Sequence, residues 1–448
     1  MNEKNDNTST SELTLLDRFL RLFSDVRSGE SVTVLLMLVN IFLVLVCYYV
    51  IKTIREPLIL VEGGAVWKSY SSAGQAMVLM AFIPLYGWFS SRVDRFKLIV
   101  GVTLFFVVNI ELFSLAVNAK LPHVGVLFFI WVGFFSVTVI AQFWSYANDI
   151  YTKEAGNRLF PIIGIGMTAG APLGALVAEN LFAEGIEPQL MLHISTVLLL
   201  VSLGCYALVN RREERKGDAG EAKQTLAKGN GFALVFKSRY ISLIALLFVL
   251  LNVVNTTGGY ILDALVTSRA AALLAQNAIA DQGAYLGEFY GNFYFWVNVI
   301  AVILQAFVVS RIVKYGGLRW TLLILPFVAL GAYGIVAAGA GFAMIRWAKT
   351  AENTTDYSIM NTARQLLWLP TSREEKYKAK QAVDTFFVRM GDVLSAGFVF
   401  VGTTWMGLGV AGFATGNIVM ILAWIGVAFL ILREYRKLKG AGEEVGEA

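Results

Sequence analysis

The chain has 448 residues, of which 57% are hydrophobic and only 15% charged. A water-soluble fold cannot bury that much apolar side chain while leaving its outer faces so poor in charge, so the composition argues against a soluble enzyme and for an all-α polytopic membrane protein. The formal charge of +5 then reports orientation through loop lysines and arginines rather than nucleic-acid binding.

In chain order, residues 1–30 form a polar leader. Leu13, Leu16, Leu20 and Phe23 recur there at helical spacing away from Arg18 and Arg21, which predicts an amphipathic helix that either lies on the membrane surface or caps the bundle. The run 32–51 is too long and wrongly flanked for a cleaved signal peptide and is expected to remain as the first span. Apolar runs of about 20 residues, enough to cross roughly 30 Å of hydrocarbon, predict twelve spans near 31–56, 70–90, 98–117, 124–150, 159–180, 190–209, 240–264, 289–310, 318–337, 339–366, 380–405 and 414–433. Cys47 and Cys205 lie inside such runs and suggest neither a disulfide framework nor a metal site. His123 and His193 stand alone near span ends.

Alternate connections hold most of the positive charge: Arg92, Arg95 and Lys97; Lys153 and Arg158; Arg311, Lys314 and Arg319; Arg373, Lys376, Lys378 and Lys380; and the tail with Arg433, Arg436, Lys437 and Lys439. These connections and both termini are expected to face the cytoplasm. A charged linker, residues 210–239, separates a six-helix bundle over 31–209 from a second over 240–433, followed by a cytoplasmic tail, 434–448. The junction Ser91-Arg92-Val93-Asp94-Arg95-Phe96 has a counterpart six helices later in Ser310-Arg311-Ile312-Val313-Lys314-Tyr315. Equal halves with matching junctions predict a duplicated, major-facilitator-like architecture.

Charge at membrane depth is costly, from about 2.5 kcal/mol upward, so a helix carrying several charges needs partners or a water-filled cavity. In span ten, Arg346, Lys349, Asn353 and Asp356 share one helical face with Glu352 beside them. They either line a substrate cavity or form an internal ladder that fastens two helices. A start near Gly339 puts Lys349 to Asn353 near the midplane. Span eleven carries Asp384, Arg389 and Asp392, the last two a turn apart and able to neutralise one another. Span four ends with Gln142, Ser145, Asn148 and Asp149 near a cytoplasmic exit, where they suit a gate or a cap. Lys52, Arg55 and Glu56 close span one, with Lys68 nearby; they either snorkel to the outer interface or reach a cavity. Glu111, Glu179 and Asp263 are isolated and read as helix-contact or gating groups. Gly166, Gly170 and Gly174 form a smooth stripe for close helix approach, and Asn252, Asn255, Thr256 and Gly258-Gly259 interrupt span seven.

Three stretches resemble the ATP/ADP translocase family, the nucleotide transporters of plastids and intracellular bacteria, and more closely its bacterial relatives. They are Tyr49 to Leu58; Phe143-Trp144-Ser145-Tyr146-Ala147-Asn148-Asp149-Ile150 with Arg158-Leu159-Phe160-Pro161; and Lys376-Tyr377-Lys378-Ala379-Lys380 with Asp384, Arg389, Gly391 and Asp392. The resemblance implies a major-facilitator-like fold, a bacterial inner membrane and nucleotide exchange, with basic residues holding phosphates. Arg55 and Glu56 take the family's lysine-aspartate positions, while Arg-Glu-Pro replaces Lys-Asp-Thr and span four lacks an acidic residue before Asp149.

The expected function is a secondary transporter, not an enzyme, that carries or exchanges an anionic nucleotide-like metabolite such as ATP or ADP by alternating access. Substrate contacts are expected from Lys52, Arg55, Glu56, Arg346, Lys349, Asn353, Asp356 and Arg389, and gating or coupling from Glu111, Asn148, Asp149, Glu352, Asp384 and Asp392. No cofactor, metal or catalytic residue is expected, and no Walker loop is present to hydrolyse ATP. The alternatives are a proton-coupled transporter of another solute, with Asp356, Asp392 or Glu111 titrating, and a non-transport membrane scaffold.

Overall fold

The structure, a computed structural model, describes residues 20–21, 25–27, 29–90, 92–216, 231–372 and 374–446. Most of the expected leader helix, and residues 217–230 of the linker, lie outside the described residues. All regular structure in the described residues is helical, as hydrocarbon demands: a helix satisfies its backbone polar groups internally.

The first helix, α1 (Ser31–Ser90), runs for 60 residues and is interrupted at Gly64, whose φ of 63° and ψ of −168° are not helical. A straight helix would hold Glu56 and Lys68 about 18 Å apart along its axis, whereas their side chains meet at 2.6 Å. The chain therefore folds back at Gly64, where the positive φ suits a residue without Cβ. Next come α2 (Arg95–Asn118), α3 (Val124–Ile150), α4 (Lys153–Ala183) and α5 (Pro188–Lys216). Asp94 caps α2 through the Lys97 amide at 3.1 Å, and Thr152 caps α4 through Ala155 at 3.3 Å, satisfying amides that the first turn leaves free.

The short α6 (Gly231–Lys237) leads into α7 (Arg239–Ala275), followed by α8 (Gln282–Ile303), which Asp281 caps. A wider π-helical turn, Leu304–Val309, joins α8 to α9 (Ser310–Ala337), itself broken at Gly317 with φ 57°. Then come α10 (Phe342–Thr355), a π turn over Asp356–Met360, and α11 (Asn361–Leu366). The short α12 (Lys380–Ala382), flanked by π turns, precedes α13 (Val388–Thr404) and α14 (Val410–Gly446). Among the described residues, nine helical stretches are long and apolar enough to cross a bilayer, and two of them, with 57 and 56 residues, contain the breaks at Gly64 and Gly317.

Several boundaries differ from the expected ones. Helix α5 continues to Lys216 and α6 occupies 231–237, so the charged linker is shorter than residues 210–239. Helix α7 continues eleven residues past the expected end at 264, reaching Ala275, because hydrophobicity marks where a helix leaves hydrocarbon rather than where it ends. Gly339 adopts φ 74° and the next helix begins at Phe342. Lys349 therefore lies about 10 Å into α10, rather than the roughly 15 Å that a start at Gly339 gives.

Two apolar clusters organise the packing. One gathers the first limb of α1 with α2 to α5 and also takes in Leu262 and Val266 of α7 and much of α8; the other gathers the first part of α7 with α9 to α14. The glycine stripe does the packing expected of it. A Cβ on Gly166, Gly170 or Gly174 would come within 2.3 to 2.7 Å of the carbonyl oxygens of Leu38, Phe42 and Val46, so only glycine lets α4 lie against α1 at that distance. The bundle has a terminal end, where Arg158 meets Glu30, and a distal end, where Trp67 stacks on His123.

Candidate functional site

The densest polar cluster lies where α1 meets α7 and α8, in the distal half of the bundle. Glu56 is fully buried and pairs with Arg55 and, at 2.6 Å, with Lys68; Lys68 also reaches Asp263 of α7 at 2.6 Å. Tyr290 donates to Asp263, and Tyr294 donates to Glu56 at 2.8 Å. Tyr49 donates to Asn298 at 3.0 Å. Lys52 is 9% exposed and has no carboxylate within ion-pair distance among the described residues. Its ammonium instead lies 4.1 Å from the ring centre of Tyr294 and 5.0 Å from that of Tyr49, a cation–π arrangement that gains strength away from water. Arg55 lies over Phe129 at 4.3 Å. Three basic side chains thus face two carboxylates in a largely buried site, an excess of basic groups.

Arg55 is also within electrostatic range of Tyr48 and of Tyr357, and Tyr48 of Arg389. These side chains come from α1, the π turn after α10, and α13, and the charges of Arg55 and Arg389 both act on Tyr48. Arg389 pairs with Asp392 at 3.4 Å, and Asp392 accepts from Asn252 at 2.7 Å and Thr256 at 2.8 Å. The polar interruption of span seven therefore serves as the carboxylate's cradle.

The stripe on span ten divides among several neighbours. Arg346 donates to Asn292 of α8, which donates in turn to Glu179 of α4 at 2.6 Å. Lys349 is buried and pairs with Glu352 at 2.9 Å, while Tyr333 donates to Glu352 at 3.0 Å. The Lys349–Glu352 contact is one rung of the ladder given as one of two readings, and a Cβ on Gly258 would strike the Tyr333 hydroxyl. Asp356 pairs with Arg364 at 3.0 Å. The Asn353 Oδ1 is buried with no hydrogen-bond partner among the described residues.

The remaining candidates are dispersed. At the terminal end, Arg95 binds Asp149 at 2.6 Å, the exposed Asn148 amide bonds back to the Trp144 carbonyl at 2.8 Å, and Asp384 stands 3.7 Å from Lys380. At the distal end, Glu111 lies 2.8 Å from His193, so neither residue is as isolated as its sequence surroundings suggest. Tyr290, Tyr294 and Asn298 escaped the sequence reading. Their spacing of four along one helix face is the signal that would have found them, although aromatic residues are common enough in membrane helices to mask it.

No protein-family model matches the chain. It is 25% identical over 299 residues to ADP,ATP carrier protein 1 of Chlamydia pneumoniae, covering 57% of this chain and 56% of that protein. It is 22% identical over 303 residues to ADP,ATP carrier protein 4 of Rickettsia bellii, covering 58% and 56% respectively. The match thus spans little more than half the length of these curated relatives. Among solved structures, the nucleoside transporter NupG superposes with a TM-score of 0.64 at 15% identity, covering 90% of this chain and 99% of that one. A bacterial homologue of the human lysosomal transporter Spinster, in an inward-facing and unoccupied conformation, gives 0.60 at 13%, covering 92% and 98%. The curated homologues of this chain are ADP,ATP carrier proteins of Chlamydia and Rickettsia, and its fold is that of major-facilitator-type transporters.

Proposed function

We propose that this protein is a secondary transporter that moves an anionic, nucleotide-like metabolite by alternating access between two six-helix halves, residues 31–209 and 240–433. Dividing the two longest stretches at Gly64 and Gly317 and adding the charged helix beginning at Phe342 makes twelve crossings. The observation that carries the substrate reading is the surplus of buried cations in the distal cluster, Lys52, Arg55 and Lys68 against Glu56 and Asp263. A phosphate-bearing solute offers the missing negative charge, and guanidinium and ammonium groups suit its oxygens. Lys52, Arg55 and Arg389 are assigned the substrate contacts, and the Lys349–Glu352 pair holds α10 against α9. The ADP,ATP carrier names of the relatives support the nucleotide class.

The inter-half contacts around Lys68 and Asp263 concentrate at the distal end, which supports a conformation closed there and accessible from the terminal end. The basic connections support placing the terminal end and both termini in the cytoplasm of a bacterium, with the protein in its inner membrane. Counterflow of labelled ATP in proteoliposomes is the test: uptake driven by internal ADP and abolished by Lys52→Met supports the reading. Uptake of another solute that follows an imposed proton gradient and ignores internal nucleotide overturns it in favour of proton coupling, with Asp392 the first carboxylate to substitute.

A further inference from the structure

A second cavity, of about 360 Å³, lies away from the Lys52 cluster at the distal end and is lined by residues of four helices. Helix α4 contributes Glu179, α7 Arg269, α8 Glu288 and Asn292, and α10 Arg346 and Trp347. Two cations and two carboxylates therefore share one wall, yet among the described residues none of the four forms an ion pair. Arg269 lies over the Phe342 ring at 5.0 Å, and Arg346 over Phe289 and Trp347 at 5.6 and 5.5 Å. Among the described residues, the side chains of Arg346 and Glu179 are hydrogen-bonded through Asn292, while one Glu179 oxygen and the Arg346 Nε are buried without a hydrogen-bond partner there. Opposite charges kept apart around an open space, two of them with buried atoms left without a hydrogen-bond partner among the described residues, complement a ligand that carries both signs.

The depth of the cavity narrows the chemistry. Arg269 is about 9 Å from the end of α7, Glu179 about 6 Å from the end of α4, and Arg346 about 6 Å from the start of α10, a level that matches the interface between hydrocarbon and water. Trp347, Met344 and Trp296 are 47%, 57% and 38% exposed, forming the kind of aromatic and apolar rim found where a helix surface passes from headgroups to acyl chains. We propose that this cavity binds a phosphoethanolamine zwitterion, its phosphate on Arg269 and Arg346 and its ammonium on Glu288 and Glu179. The same chemistry is offered by the headgroup of phosphatidylethanolamine and by free phosphoethanolamine. Because Glu179 and Glu288 stand on helices of the first apolar cluster and Arg346 on α10, whose Ile345 belongs to the second, an occupant also ties the two clusters together at the distal end.

Native mass spectrometry of the purified full chain, reconstituted with phosphatidylethanolamine, phosphatidylglycerol and phosphatidylcholine, tests the assignment. Arg269 and Glu288 are both exposed, so Arg269→Gln and Glu288→Gln should fold, which a monodisperse elution profile checks. The wild type is expected to retain phosphatidylethanolamine selectively. Arg269→Gln should weaken retention of both phosphatidylethanolamine and phosphatidylglycerol about tenfold through loss of a charge-assisted contact. Glu288→Gln should weaken phosphatidylethanolamine alone and so abolish the preference. Displacement of the lipid by soluble phosphoethanolamine would identify the headgroup as sufficient; a selective, variant-sensitive lipid signal that phosphoethanolamine does not displace would identify the membrane-anchored form. Identical lipid profiles for wild type and both variants, or loss of both lipids in Arg269→Gln with no effect of Glu288→Gln, would overturn the zwitterion site.

Discussion

The Lys68 bridge offers the sharpest test of the proposed distal closure. Its ammonium lies 2.6 Å from both Glu56 and Asp263, and the three side chains are only 14%, 0% and 4% exposed. In Lys68→Met, Glu56 keeps Arg55, but among the described residues Asp263 keeps just the Tyr290 hydroxyl. Removing one partner of a buried ion pair typically costs about 3–5 kcal/mol, because the other charge stays buried and uncompensated. The loss should fall on the distally closed arrangement, since the bridge joins α1 to α7. Asp263→Asn should be destabilising too, but Lys68→Met combined with Asp263→Asn should cost less than the two added together by about 0.5–3 kcal/mol. Thermal unfolding of the detergent-purified protein measures the cycle. A cysteine at Gly283, where a Cβ would meet Val61 and Pro57, reports opening by its rate of alkylation; Cys47 and Cys205 are buried and contribute little background. Faster labelling in Lys68→Met, slowed again in the double variant, is the expected result. Additive stability losses with unchanged labelling would refute the bridge as a closure element.

Tyr294→Phe should cost about 1–3 kcal/mol of stability by removing one donor from the buried Glu56 Oε1, which keeps its bonds from Arg55, and Tyr294→Leu should cost more, because it also removes the ring beneath Lys52; the order is read from unfolding temperatures. Gly170→Leu should destabilise by at least about 1–3 kcal/mol through overpacking, because even a Cβ there lies 2.7 Å from the Phe42 carbonyl; expression and thermal stability of Gly164→Leu, with nothing within 4 Å of its Cβ, provide the comparison. Glu30 is partly desolvated, which alone would raise its pKa, but hydrogen bonds from Arg158 and the Arg27 amide, with the charges of both arginines, hold it below the ordinary 4.5. A depressed folded-state pKa stabilises above the unfolded value and is lost as pH falls through the folded one. The stability gap between wild type and Glu30→Gln should therefore be flat above pH 4.5 and close below it, as followed by unfolding across a pH series.

Much of this architecture is readable from residues alone because a bilayer reduces folding to a few strong rules. Long apolar runs must be helices, the glycine stripe of 166, 170 and 174 must sit where another backbone comes close, and charges such as Arg55, Glu56 and Asp392 must find partners. Local spacing also identified the Arg389–Asp392 and Lys349–Glu352 pairs, which lie one turn apart on their own helices. Partners distant in sequence are another matter. Lys68 meets Asp263 at a separation of 195 residues, and Asn292 connects Arg346 to Glu179 only because α8 packs against both α4 and α10. Helical periodicity says which face a side chain occupies but not which helix lies opposite, so a stripe that reads as one charged surface is divided among Asn292, Tyr333 and Arg364. The turn at Gly64 was likewise hidden, because glycine permits a positive φ without requiring one. Hydrophobic pattern determines that these helices cross a membrane; the packing of one helix on another decides which buried charges are paired and which, like Lys52, lie against aromatic rings.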